Sequence, residues 1–253
     1  MLTKVKTPAE ISAMRESGRM LATVLQLLRN EVKAGMSTKD VAEMAKVELR
    51  RLGGQPAFLG YNGFPDVICI SVNDEVVHGI PREDRILKNG DLVGLDFGVV
   101  YQGMITDSAI TVVIGGPKSA KPAAQKLVQD TESSLLAGIQ QVKAGAHIGD
   151  IGFAVQAVLG KQDYGIVRDL VGHGVGHQLH EDPNIPNYGR EGHGMALQEG
   201  MTIAIEPMAT LGDYQVYTAD DDWTIKTRDG SLAAHFEHTV LVTKDGAEIL
   251  TQL

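Results

Sequence analysis

Four carboxylates in this sequence stand in surroundings that ought to exclude them. Asp96 lies between Leu95 and Phe97, and Glu206 between Ile205 and Pro207. Asp107 precedes the apolar run from Ile110 to Ile114, and Glu237 opens the stretch EHTVLVT. A carboxylate in an apolar strand is costly to bury unless it is paired or bound to a metal. A turn near Tyr101-Gln102-Gly103 predicts a hairpin that sets Asp96 and Asp107 nearly opposite, with Cβ atoms ~4.5–5.5 Å apart. Two bare carboxylates so close repel, and one keeps its proton. A divalent cation removes the conflict, and four carboxylates suit two ions roughly 3.5–4 Å apart. Oxygen-rich ligation with some imidazole favours Mn, Fe, Co or Zn. The single cysteine, Cys69, excludes a thiolate cage and an intrachain disulfide.

Histidines supply the imidazole. Four of the eight fall between residues 173 and 193, and LVGHGVGHQLHEDPNIPNYG holds His173, His177 and His180. The Gly-rich HGVGH reads as strand or turn, and no HExxH pair is present. His78, in NDEVVHGIP, sits in a setting like that of HEDP around His180. Clustering with the acids singles out His78, His173 and His180 for chemistry. His177 stays open, and His147, His193, His235 and His238 read as ordinary packed histidines.

The elements that must bring these residues together come from an internal repeat. VKAG begins at Val32 and again at Val142, an offset of 110 (142 − 32). LKNGDLVGLDF from Leu87 matches LQEGMTIAIEP from Leu197 at the same offset, which lays Asp96 on Glu206. DSAITVVIGG from Asp107 matches EHTVLVTKDG from Glu237 at 130 (237 − 107), so the second half carries an insertion. Helical spacing of apolar residues predicts helices over 11–32 and 123–142, with Gly35 and Gly145 as stops. A second helix starts near Ser37-Thr38 and near Asp150, with Ser37 or Thr38 as N-cap. Strands are predicted over 67–72, 92–100, 105–114, 202–205 and 237–243. Helices on one face of a largely antiparallel sheet make an α+β fold. No linker parts the halves, so residues 1–253 read as one domain of two pseudo-symmetric halves, about 10–116 and 121–250.

The 253 residues are 43% hydrophobic and 22% charged, which supports a sizeable core. No run reaches the roughly 18 apolar residues of a membrane span. The N-terminal stretch lacks the apolar core of a secretory signal. A net charge of −9 argues against nucleic-acid or anionic-membrane binding. A cytoplasmic protein is expected.

NDEVVHGIP, LVGLDFG, MITDSAITV, GHGVGHQLHEDP, EGMTIAIEPM and FEHTVLVT, in that order, closely resemble type I methionine aminopeptidases over about residues 4–250. The resemblance implies the duplicated pita-bread fold (creatinase/aminopeptidase-like), with a curved antiparallel sheet, helices on its outer face and a dinuclear metal site. It implies that Asp107 and Glu237 bridge two metals, that Asp96 completes one site, and that His173 and Glu206 complete the other. It implies catalytic roles for His78, His180 and Glu206, and a methionine pocket lined by Phe58, Tyr61, Phe64, Cys69 and Trp223, with Leu179 near. The implied activity is removal of N-terminal methionine from nascent proteins and peptides, before a small second residue, by water activated between two metals. A monomer with a transient ribosome contact is implied too. His177-Gln178-Leu179 departs from the family's usual residues there, and Tyr217–Trp223 is acidic where ribosome docking uses basic surface.

Two alternatives share the fold. X-Pro peptidases carry a large extra N-terminal domain, for which a first helix starting near residue 11 leaves no room. Non-catalytic binding proteins lose metal ligands, whereas all five positions are filled here.

Overall fold

The computed structural model describes residues 5–253; the first four residues, which the single-domain reading includes, lie outside the described residues. Local capping chemistry starts the helices. In helix α1 (Pro8–Glu31), Glu10 N donates to the Thr7 hydroxyl at 3.3 Å, and Thr7 N donates to the Glu10 carboxylate at 2.7 Å. Helix α2 (Thr38–Leu52) repeats the box with Ser37 and Asp40 and ends on Gly53 at φ 86°. Helix α3 (Pro122–Ile139) opens on proline. At helix α4 (Ile148–Leu159), His147 N donates to Asp150 at 2.7 Å.

Both long helices stop short of their expected ends, and Gly35 and Gly145 are not helix caps. They turn the connecting backbone at φ 92° and 86°, so that their N–H groups meet Leu87 O and Leu197 O, each at 2.9 Å. Ser37 then bridges Ile86, and His147 bridges Ala196. Each of these contacts recurs at the offset of 110 read from the sequence (147 − 37, 196 − 86).

Among the described residues, nine strands form one antiparallel sheet. Leu92–Tyr101 and Met104–Val113 form a hairpin closed by Gln102 and Gly103, both at positive φ, as a two-residue turn requires. This turn pairs Gly98 with Asp107 and Asp96 with Ala109. Asp96 and Asp107 are therefore diagonal neighbours on one face, not nearly opposite, because the tight turn falls between Tyr101 and Met104 and fixes the register. Cys69–Val72 flanks the hairpin, with Cys69 opposite Asp96.

The second half pairs Thr202–Ile205 with Glu237–Val242, and Gly172–Gly174 with Thr202–Ile205. The halves meet where Met104–Val113 pairs with Glu237–Val242, Ala109 facing Glu237. Hydrogen bonds lock this seam: Asp107 N donates to Thr239 Oγ1 at 2.9 Å, and Thr239 Oγ1 donates to Asp107 O at 2.7 Å.

Side chains alternate across a strand, so Leu95 and Phe97 point away from Asp96. They pack with Leu21 and Leu28 of α1 and Leu49 of α2, all fully buried. Ile203, Ile205 and Val240 pack likewise with Leu135 of α3 and Ile151 of α4. Burying such a side chain contributes roughly 1.5–3 kcal/mol. Helices thus cover one face of the sheet, and the carboxylates occupy the other, giving the expected α+β architecture. A small sheet of Glu75–Val77, Ile225–Thr227 and Val216–Thr218 ties the segment leading to His78 to the excursion that carries Trp223.

Candidate metal and substrate site

One cavity of about 260 Å³ gathers every residue singled out for ligation, catalysis or the pocket: Phe58, Tyr61, Phe64, Cys69, His78, Asp96, Asp107, His173, His180, Glu206, Trp223 and Glu237. Asn62 and Leu179 complete the lining.

The polar end holds the acids. Asp96, Asp107 and Glu237 are buried, and each leaves one carboxylate oxygen without a hydrogen-bond partner among the described residues. Burial pushes the carboxyls of Asp107, Glu206 and Glu237 well above the usual range, and the neighbouring carboxylates push further. Burial lifts Asp96 to about 7. Ligand atoms of Asp107, His173 and Glu237 all lie within 4.8 Å of one another.

His173 adds a nitrogen donor to these acids. Its Nδ1 lies 2.9 Å from Gly174 O, and a carbonyl only accepts, so Nδ1 carries the proton. Burial holds the ring's pKa down at about 3, so the imidazole is neutral and Nε2 presents a lone pair. That lone pair faces Glu206 Oε1 at 3.5 Å. An imidazole lone pair in a buried site, converging with carboxylate oxygens of which three have no hydrogen-bond partner among the described residues, fits divalent metal.

The other end is apolar. Phe58, Phe64, Cys69 and Leu179 are buried together, with Tyr61 and Trp223 packed against them. Phe64 stands edge-on to Phe58 at 6.4 Å and to Trp223 at 5.1 Å between centroids. Burial and the nearby carboxylates hold the Cys69 thiol fully protonated.

Two histidines stand between the ends. The His180 ring lies 4.3 Å from that of His173 between centroids, tilted at 58°, and its Nδ1 lies 2.8 Å from Tyr61 Oη. His78 adopts φ 61°, a left-handed conformation that is rare for a residue with a side chain and concentrates at functional positions. Burial lowers the pKa of His78 to about 4 and shifts that of His180 down as well, so both are neutral near pH 7.

His177 turns away from the cavity and binds Glu10 at 2.8 Å. His235, read from the sequence as an ordinary packed residue, borders the site instead. Its Nε2 is buried, unpaired among the described residues, and 3.7 Å from Glu206 Oε2. Asn187, not singled out in the sequence, donates to Glu206 O at 3.0 Å. Neither residue carries a local signal; each earns its place by a long-range contact with Glu206.

A profile of metallopeptidase family M24 matches residues 12–244. The chain is 42% identical over 247 residues to a methionine aminopeptidase of Clostridium acetobutylicum, with 98% of each chain covered. It is 44% identical over 248 residues to methionine aminopeptidase 1 of Bacillus subtilis, again with 98% of each covered. Its structure is similar to the crystal structure of a Thermotoga maritima methionine aminopeptidase, with a TM-score of 0.97, 42% identity and both chains covered completely. A prolidase of Pyrococcus furiosus shares the fold at a TM-score of 0.78 and 23% identity, and the chain covers 65% of it.

Proposed function

The chain belongs to metallopeptidase family M24, and on that premise we propose the following reading of its site. The protein is a metal-dependent aminopeptidase that removes N-terminal methionine from peptides and nascent proteins. The observation that carries the site is the His173 lone pair facing Glu206 among buried carboxylates, beside an apolar pocket.

Asp96, Asp107, His173, Glu206 and Glu237 would hold two divalent ions (Mn, Fe, Co or Zn). Four carboxylates then balance the charge of two ions. The ions would polarise the scissile carbonyl and bring the pKa of the attacking water down toward neutrality.

The chain's own groups do the rest. Glu206 takes the water's proton and passes it to the leaving amine. Tyr61 Oη donates to His180 Nδ1, which leaves Nε2–H of His180 to donate to the oxyanion developing on the scissile carbonyl, a contribution of about 3–4 kcal/mol. His78 donates to the scissile amide. Phe58, Tyr61, Phe64, Cys69, Leu179 and Trp223 enclose the flexible methionine side chain, and the space beyond admits a small second residue.

We read residues 1–253 as one catalytic domain of two halves, about 10–116 and 121–250, acting as a cytoplasmic monomer with a transient ribosome contact. The buried free thiol of Cys69 supports a reducing compartment. Among the described residues, no helix is long and apolar enough to cross a membrane.

The test is hydrolysis of Met-Ala-Ser against Gly-Pro and Lys-Pro peptides, with and without added Mn(II) or Co(II). Methionine release from the first, dependent on metal, is expected. Cleavage of only the X-Pro peptides, or no release under any metal, overturns the reading.

A further inference from the structure

The turn that delivers Leu179 and His180 to the cavity is held from outside by the N-terminal segment. Lys6 and Glu181 form an ion pair across the fold, Nζ to Oε2 at 3.0 Å, with both side chains almost wholly buried. Glu181 uses its other oxygen, Oε1, to accept from His177 N at 2.7 Å and Gln178 N at 2.9 Å. One carboxylate therefore folds the backbone just before His180 and is itself anchored by Lys6.

The stem of Lys6 contributes as well. Gly176 lies directly on it, and a Cβ at that position would come within 2.4 Å of Lys6 Cε. The turn is fastened on its far side by Ile105 N donating to Gly176 O at 2.8 Å. Lys6 is fixed in turn by its own N–H, which donates to Gly200 O at 2.8 Å. A second tie comes from the start of α1, where Glu10 meets His177 Nε2. An ion pair this deeply buried is a poor source of net stability, because desolvation offsets the attraction. What it supplies is one fixed geometry for the turn.

We infer that Lys6 is a positioning residue for the peptidase reaction, acting through Glu181 to hold the 176–180 turn so that His180 meets the developing oxyanion. The inference rests on the role proposed above for His180. A donor must sit ~2.7–3.1 Å from the developing oxyanion to act in the transition state, and Glu181, the residue that follows His180 directly, joins the buried ion pair to the sheet by pairing with Gly174.

The test is a double-mutant cycle on the metal-loaded protein, with kcat and KM for Met-Ala-Ser measured in Lys6→Met, His180→Ala and the combination. His180→Ala should lower kcat by roughly 10²–10³-fold, and Lys6→Met by part of that, roughly tenfold, with KM nearly unchanged. In the combination, Lys6→Met should add no more than about twofold to the loss already caused by His180→Ala. Amide hydrogen exchange at His177 and Gln178 should quicken in Lys6→Met, while Mn(II) affinity by calorimetry stays at the wild-type value. Losses that multiply, or wild-type kcat in Lys6→Met, overturn the inference. Wild-type kcat in His180→Ala, with quickened exchange in Lys6→Met, instead sinks the role of His180 and leaves the strut standing.

Lys6→Met takes the Lys6 ammonium away from the buried Glu181 charge, which can prevent folding. Lys6→Met with Glu181→Gln removes both charges and keeps an oxygen for the two amides. It should lower kcat in the same direction and again add nothing to His180→Ala; wild-type kcat in this folded variant overturns the inference.

Discussion

The two halves place two acids each at equivalent points, yet they build them differently. In the first half, Asp96 and Asp107 sit on one uninterrupted hairpin closed by two residues. In the second, Glu206 directly follows Thr202–Ile205 and Glu237 opens its partner strand, with residues 207–236, which carry Trp223 and His235, running between them. The first half has no counterpart of His173, and His78 is its one histidine, set in a motif like that around His180. Duplication thus accounts for the charge at the centre, and the second copy adds His173 and His180 to it, while most of the apolar lining, Phe58, Tyr61, Phe64 and Cys69, comes from the first. The first half supplies a continuous bracket and most of the pocket wall; the second supplies most of the imidazole.

The comparison is broken most severely at the seam. Asp107→Asn and Glu237→Gln, one from each half, should both abolish metal binding and turnover while leaving a folded protein. Metal analysis and circular dichroism check this, and full activity in either would refute the shared site. Glu206→Gln should retain much of the metal but lower kcat by roughly 10²–10⁴-fold, the range for a general base. Asp96→Asn, its mate in the bracket, should weaken metal affinity more than it alters kcat at saturating metal. Equal kcat losses in the two would erase the distinction between the halves.

A third difference lies in pH. In the metal-free protein Asp96 has its pKa raised to about 7 by burial, whereas in the unfolded chain it titrates near 4. The folded form keeps a proton that the unfolded form gives up, so stability falls as pH rises from about 4 through about 7. Urea melts of metal-free wild type should lose up to about 1.4 kcal/mol per pH unit more across this window than metal-free Asp96→Asn. Parallel slopes would show that Asp96 is not buried as a neutral acid. The smallest effect falls on the equivalent capping boxes: Asp40→Ala and Asp150→Ala should each lower the urea midpoint slightly, with kcat and KM unchanged.

Much of this was legible in the chain because repeats and periodicity are local. The offset of 110 reappears as matched bridges, and the acids expected to converge lie round one cavity. Register was less legible: a one-residue uncertainty in the turn separates opposed from diagonal carboxylates. The glycines at 35 and 145 signal a turn equally well whether they cap a helix or steer a connection. His235 and Lys6 escaped because nothing adjacent in sequence marks them. A histidine in an apolar strand looks the same whether it faces the core or Glu206, and Lys6 finds its partner at Glu181, across most of the chain.

The seam has a consequence for how such a molecule is made. Asp107 meets Thr239 and Glu237 through contacts that span half the chain, and the strand supplying them is synthesised near the end. During vectorial synthesis the first hairpin emerges with its acids in place and no partner strand beside it, and domains tend to fold as units once complete. The acid cluster therefore comes into existence only with the last stage of translation, when Glu237–Val242 pairs with Met104–Val113. A chain halted before that strand presents the first hairpin's acids with half of their partners missing.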